Sequence, residues 1–116
     1  MRTTIPTNMR NVITIAAIAA LAAANAAAAD VEAGKKKVQE VCAACHGIDG
    51  ATPTTPEYPK LAGQYPDYLA KALRDYKTGA RKNAIMAGMA QGLTDKDIEN
   101  VSQYFYVQPS NLASRY

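Results

Sequence analysis

Five consecutive residues, Cys42-Ala43-Ala44-Cys45-His46, set two thiols three positions apart and an imidazole directly after the second. Each thiol can close a thioether onto one edge of a macrocycle while the adjacent imidazole reaches a metal at its centre, so C-x-x-C-H is the attachment signature of a c-type haem. On this reading the chemistry of the chain is that of the iron. Cys42 and Cys45 are the only cysteines and His46 is the only histidine. An iron–sulfur cluster held by four thiolates of this chain is therefore impossible. A structural zinc site normally takes four N or S ligands, and three clustered donors plus a distant carboxylate make an unusual set. A thiol–disulfide exchange pair usually opens a helix in a strand–helix–strand setting, and no strand pattern precedes Cys42. A plain disulfide is the remaining alternative.

His46 can ligate iron through one ring nitrogen while the other donates to a backbone carbonyl, which fixes the ring orientation. Two histidines from one chain cannot fill both axial positions. Met86 and Met89 are the soft donors for the other face, and a thioether there raises the reduction potential. Methionine is also a common filler of core gaps, and spacing alone does not choose between the two. An open sixth position, suited to binding gases or peroxide, is the third possibility.

The elements that must carry these groups are legible in outline. Residues 1–29 read as a secretory signal peptide. Arg2 and Arg10 precede an apolar run from Val12 to Leu21, and small residues follow with A-x-A sites ending at Ala26 and Ala29. Cleavage is expected after one of these, with residues 30–116 as a single domain ending in a short tail. The apolar run is short for a membrane span of roughly 20 residues. Export places the thiols outside the reducing cytoplasm. The formal net charge of +3 includes Arg2 and Arg10, so the domain itself is close to neutral. It lacks the clustered basic and aromatic residues of a nucleic-acid surface. Lys35-Lys36-Lys37 reads as the solvated face of a helix.

A domain this small has one modest core, so a buried porphyrin would be part of that core and its loss should leave the chain unfolded or molten. Periodicity and capping residues place three helices, so the expected fold is all-α. The first spans roughly Val31 to Ala44, inclines Val31, Val38 and Val41 to one face, and ends at the cysteines. The second begins near Pro66, carries Leu69, Leu73 and Tyr76, and stops at Gly79. The third is capped by Thr94, has Leu93 and Ile98 in hydrophobic-staple positions, and continues its buried stripe through Val101 and Phe105 before Pro109. Residues 47–65, rich in Gly and Pro, read as loop. The stretch from Arg81 to Gly92 is weakly patterned.

Four segments together resemble the small class I c-type cytochromes, especially the one-haem periplasmic carriers and the repeated haem domain of cytochrome c4. They are Cys42-Ala43-Ala44-Cys45-His46-Gly47, Tyr58-Pro59-Lys60-Leu61-Ala62-Gly63-Gln64, Met86-Ala87-Gly88-Met89, and Leu93-Thr94-Asp95-Lys96-Asp97-Ile98 followed by Tyr104-Phe105. The resemblance implies the small class I fold around one haem c attached through Cys42 and Cys45. It places the axial thioether at Met86, leaving Met89 as a packing neighbour, and gives Pro59 the carbonyl that accepts the His46 N–H. Gly34 and the Tyr104-Phe105 region correspond to the crossing of the terminal helices. The 47–58 loop is slightly longer than in its relatives.

These readings converge on a periplasmic one-electron carrier, not an enzyme, that cycles a His46/Met86-ligated haem between Fe(II) and Fe(III). The expected partners are redox proteins such as a membrane oxidoreductase or terminal oxidase, with membrane contact only through them and no nucleic acid. Lys60, Lys77 and Lys82 are docking candidates. The alternative is a haem subunit fixed in a larger oxidoreductase complex, bound through an apolar patch drawn from Tyr58, Tyr106 or the tail after Pro109.

Overall fold

A computed structural model describes residues 27–112, so the expected signal peptide lies almost wholly outside the described residues. Five α-helices follow in order: α1 Val31–Lys37, α2 Ala43–His46, α3 Pro66–Thr78, α4 Ala84–Gln91 and α5 Asp95–Tyr106, with a π-helical segment, Val38–Cys42, joining α1 to α2. No strand occurs among the described residues, and no helix among them is long and apolar enough to cross a membrane.

Asp30 opens α1: its carboxylate accepts from Ala33 N at 3.0 Å, and its own N–H donates to Asn100 Oδ1 of α5 at 2.8 Å. The first helical run thus starts on the last helix. Gly34 is the point of closest approach, because a Cβ built there would lie 2.2 Å from the Asn100 carbonyl oxygen and 3.0 Å from Tyr104 Cβ. Only a residue without a side chain lets the two backbones cross so closely.

Pro66 occupies the first turn of α3, where its missing N–H costs nothing. Gly79 ends the helix at φ +82°, a left-handed conformation that glycine adopts without steric penalty. α5 is closed at its N-terminus by a capping box: Asp97 N donates to Thr94 Oγ1 at 3.0 Å, and Thr94 N donates to Asp97 Oδ2 at 2.9 Å. The reciprocal arrangement satisfies two otherwise orphaned donors.

α5 packs on α1 and on α3, and α3 also packs on α4. Val38, Leu69, Val101, Tyr104 and Phe105 make the main core cluster, and Ala70, Leu93 and Ile98 a second one. Burying a side chain the size of Ile98 or Phe105 stabilises the fold by about 1.5–3 kcal/mol. The expected staple pair, Leu93 and Ile98, is buried in that second cluster.

The structure departs from the sequence reading at two places. Residues 84–91, which carry little amphipathic pattern, form α4. The Asn83 carboxamide accepts from Met86 N at 3.0 Å, and α3 covers the helix, so a cap and tertiary packing replace the missing stripe. The first helix also widens into a π turn before the cysteines, an irregularity that side-chain periodicity does not encode.

Candidate functional site

The π segment delivers Cys42 to the start of α2, and α2 carries Cys45 and His46 within its single turn. π turns inside helices frequently accompany functional sites. His46 is buried, and its Nδ1 lies 2.9 Å from the Pro59 carbonyl oxygen. A carbonyl only accepts, so Nδ1 is the donor, and in the neutral ring with that tautomer Nε2 has the lone pair that a metal needs. Tyr58 tilts against the same imidazole, ring centroids 6.1 Å apart.

The loop bearing Pro59 is folded back on the end of α2 by a set of local bonds. Thr54 donates to the Cys45 carbonyl through both its N and its Oγ1, at 3.0 and 3.3 Å. Asp49 accepts from Ala51 N and Thr52 N at 2.9 and 3.1 Å. These amides hold its carboxyl below the usual carboxylate range, the Ala51 N–H contributing most. Tyr104 OH reaches across from α5 to donate to Ile48 O at 2.7 Å. Gly50 packs under Phe105 at φ +66°, and its carbonyl accepts from Leu61 N and Ala62 N at 2.7 and 3.1 Å. A substantial part of the small core therefore fixes where the Pro59 carbonyl stands.

His46, Tyr58 and Pro59 border a cavity of about 470 Å³, within the range of pockets that hold cofactors. Cys42, Cys45 and His46 line it from the end of the first helical run, Leu69 and Leu73 from α3, Met86 and Met89 from α4, and Val101 and Phe105 from α5. Met86 is half-buried, whereas Met89 is 44% exposed. Gln91 Nε2 donates to Lys77 O at 2.8 Å, tying the end of α4 to α3. Lys77, one of the docking candidates, is half-buried and donates through Nζ to the Leu93 carbonyl. Its role is thus internal, while Lys60 and Lys82 remain exposed.

Burial, followed by the neighbouring Cys45, pushes the Cys42 thiol up to about 11. An exchange catalyst needs the opposite, a thiol held as thiolate near neutrality. Among the described residues no group of three or more His, Cys, Asp or Glu is arranged to hold a metal ion. The donor set fits a covalently held haem: two thiols at one border of an apolar cavity, an imidazole with its Nε2 lone pair free, and two thioethers on a further wall.

All five residues singled out from the sequence, Cys42, Cys45, His46, Pro59 and Met86, line this one cavity. Tyr68, Tyr76 and Arg81 line it too. Tyr76 falls in the expected stripe of α3, but nothing in the spacing joins it to Tyr68 and Arg81, because the three meet only when the turn after α3 folds Arg81 back over the helix.

Comparison with known proteins agrees with the geometry. The sequence model described as cytochrome c matches residues 31–105. Cytochrome c4 of Thiocapsa roseopersicina is 44% identical over 52 residues, which take in 45% of this chain and 27% of that protein. Cytochrome c-554(548) of Halomonas halodenitrificans is 43% identical over 54 residues, 44% of this chain and 65% of that one. The chain therefore spans about a quarter of one relative and less than two thirds of the other. Among solved structures, reduced recombinant cytochrome c4 from Pseudomonas stutzeri superposes with a TM-score of 0.64 at 45% identity, covering 71% of this chain and 47% of that one. The helical architecture is that of the class I c-type cytochromes, whose cofactor is covalent haem c, and Cys42 and Cys45 supply the attachment motif. With the match running from the first residue of α1 to the next-to-last of α5, through the cavity and its thiols, this chain belongs to the cytochrome c family.

Proposed function

We propose that the protein is a periplasmic one-electron carrier whose haem is ligated by His46 and Met86. The observation that carries this reading is the convergence on one apolar cavity of both thiols, an imidazole fixed by the Pro59 carbonyl and the half-buried Met86. A haem held there supplies a one-electron Fe(III)/Fe(II) couple. The chain's part is to hold both axial side chains still and to keep water away. His46 cannot rotate without breaking its bond to Pro59, and Met86 stands in the first turn of a capped helix. Leu69, Leu73, Val101 and Phe105 make the cavity wall apolar, which would disfavour the more highly charged oxidised state of a haem held there. Met86 is preferred to Met89 because it is the less exposed and lies next to the Asn83 cap.

Met86→Ala should abolish the thioether-to-iron charge-transfer band of the oxidised holoprotein and lower its potential, whereas Met89→Ala should keep the band. The opposite pattern would transfer the ligand to Met89. A wild-type protein without the band that rapidly bound external ligands would instead indicate an open sixth position. The periplasmic assignment draws on residues 1–29 reading as a signal peptide, whose cleavage after Ala26 or Ala29 would leave one domain and its tail; intact mass and N-terminal sequencing of the periplasmic fraction test it.

A second reading, a haem subunit of a larger oxidoreductase, draws on other relatives. One is the cytochrome subunit of sulfide dehydrogenase from Chlorobaculum tepidum, 36% identical over 47 residues. Another is the thiosulfate dehydrogenase electron acceptor of Thiomonas intermedia, 44% identical over 48. Tyr65 and Tyr106, 52% and 39% exposed, stack at 6.4 Å and give an aromatic surface suited to a stable contact. Co-purification of an untagged redox partner in fixed stoichiometry would favour the subunit; a monomer that exchanges electrons with several partners would favour the carrier.

A further inference from the structure

Asp49-Gly50 is the one Asp-Gly pair in the chain, and Asn-Gly does not occur. An aspartate followed by glycine is the pairing most open to backbone isomerisation, because an amide nitrogen beside a carbon without a side chain approaches the carboxyl carbon unhindered. This fold needs both residues. Gly50 is buried at φ +66°, and a Cβ there would lie 2.6 Å from Phe105 Cδ1 and 3.0 Å from Ala62 N. Asp49 Oδ1 accepts from Ala51 N and Thr52 N at 2.9 and 3.1 Å, and Oδ2 accepts from Thr52 Oγ1 at 3.2 Å. In the folded loop both reacting groups are therefore engaged elsewhere. The Gly50 N–H donates to Gly47 O at 3.1 Å. The carboxyl is turned toward Ala51 and Thr52, whose N–H groups, Ala51 foremost, keep it ionised and without the proton its oxygen needs to leave as water. Tyr104 OH fastens the preceding residue to α5 through Ile48 O at 2.7 Å.

We propose that Asp49-Gly50 is a modification site that isomerises to isoaspartate when this loop opens, with Tyr104 as the clamp that keeps the loop closed. The Gly50 nitrogen bonds to Asp49 Cγ and gives up its proton, a carboxyl oxygen departs as water, and a succinimide forms. Water then adds to one of the two imide carbonyls. Breaking the bond from nitrogen to Cγ restores Asp49, whereas breaking the bond from nitrogen to the main-chain carbonyl carbon leaves the backbone running through Cβ and Cγ. No oxidant or reductant takes part. The isomer has one more main-chain atom, placed just before the Gly50 carbonyl that accepts from Leu61 N and Ala62 N. It thereby disturbs the segment that holds the Pro59 carbonyl against His46.

The test incubates the holoprotein at neutral pH, with and without enough urea to unfold it, and measures isoaspartate at position 49 by mass spectrometry of the digested chain with electron-transfer fragmentation. Isoaspartate should form at least about tenfold faster in the unfolded protein. Tyr104→Phe, shown to be folded by circular dichroism, should isomerise roughly fivefold faster than folded wild type, the factor by which loss of one hydrogen bond raises an opening equilibrium, and at the wild-type rate in urea. Thr94→Ala loses a helix cap away from this loop and should stay within about twofold of folded wild type. Equal rates in folded and unfolded wild type, no isoaspartate at position 49 in urea, or a folded Tyr104→Phe rate no higher than that of Thr94→Ala would overturn the proposal. The peptide readout does not depend on which side chains ligate the iron.

Discussion

Replacing Gly34 with alanine puts one methyl group where α1 crosses α5. That carbon would stand 2.2 Å from the Asn100 carbonyl oxygen, 2.7 Å from its carbonyl carbon and 3.0 Å from Tyr104 Cβ. The first two atoms are backbone inside α5 and cannot turn aside as the end of a flexible side chain would. To restore ordinary van der Waals contact the helices must separate by about 1 Å, in a core whose packing density leaves little slack. Separation weakens the Asp30–Asn100 bond and the contact of Val38 with Tyr104. Overpacking of this kind costs about 1–3 kcal/mol, and rigid neighbours put Gly34 at the upper end. Alanine recovers about 1 kcal/mol of helix propensity, so the net loss should be about 2 kcal/mol. For a domain of this size that lowers Tm by roughly 8–16 °C.

Gly88→Ala is the matched control. Gly88 lies within α4, and a Cβ there meets nothing within 4 Å, so only the propensity gain remains and stability should rise by about 0.5–1 kcal/mol. Urea unfolding of both holoproteins, followed by far-UV circular dichroism and haem absorbance together, measures the contrast. A Gly34→Ala protein within about 0.5 kcal/mol of wild type, beside a stabilised Gly88→Ala protein, would refute the inference that backbone contact sets the crossing.

Thr94→Ala removes the acceptor of the Asp97 N–H and should cost about 1 kcal/mol. The Thr94 N–H, then its hydroxyl, then Lys37 and Lys77 hold the Asp97 carboxyl below its ordinary value. As pH falls the unfolded chain therefore takes up the proton first: the stabilisation is complete above the unfolded carboxylate value of about 4 and is lost as pH drops through the folded one. Asp97→Asn should flatten the acid limb of a stability-against-pH curve, and a slope equal to wild type would contradict this. Tyr104→Phe leaves Ile48 O without its donor and should cost about 1 kcal/mol; hydrogen exchange at the Ala51 and Thr52 amides should quicken, whereas unchanged exchange would mean that the loop holds itself.

Helix ends were legible because their causes are local. Asp30, Asn83 and Thr94 each accept from an N–H three residues on, and Pro66 and Gly79 bracket α3. Of these, Asp30 and Asn83 escaped notice as caps, Asn83 because the residues it caps, rich in alanine, methionine and glycine, show no clear stripe. Lys77 read as a surface charge for a related reason: the Leu93 carbonyl that captures it belongs to a different element. Tyr104 and Gly34 offered close packing of two helices, yet spacing could not show which atoms would meet.

The sequence by itself determined the attachment chemistry, because C-x-x-C-H is a contiguous motif in which covalent connectivity alone sets thiols and imidazole side by side. It also narrowed the candidate iron ligands to one histidine and the two methionines beyond the expected leader. Only the tertiary structure decided that the Pro59 carbonyl stands 2.9 Å from His46 Nδ1, that Met86 is the more sheltered thioether, and that Arg81 lies over Tyr76 at the same cavity. Those relations join residues far apart along the chain. They exist once α5 has closed on α1 and α3, because only then do the loop and α4 have a core to rest against.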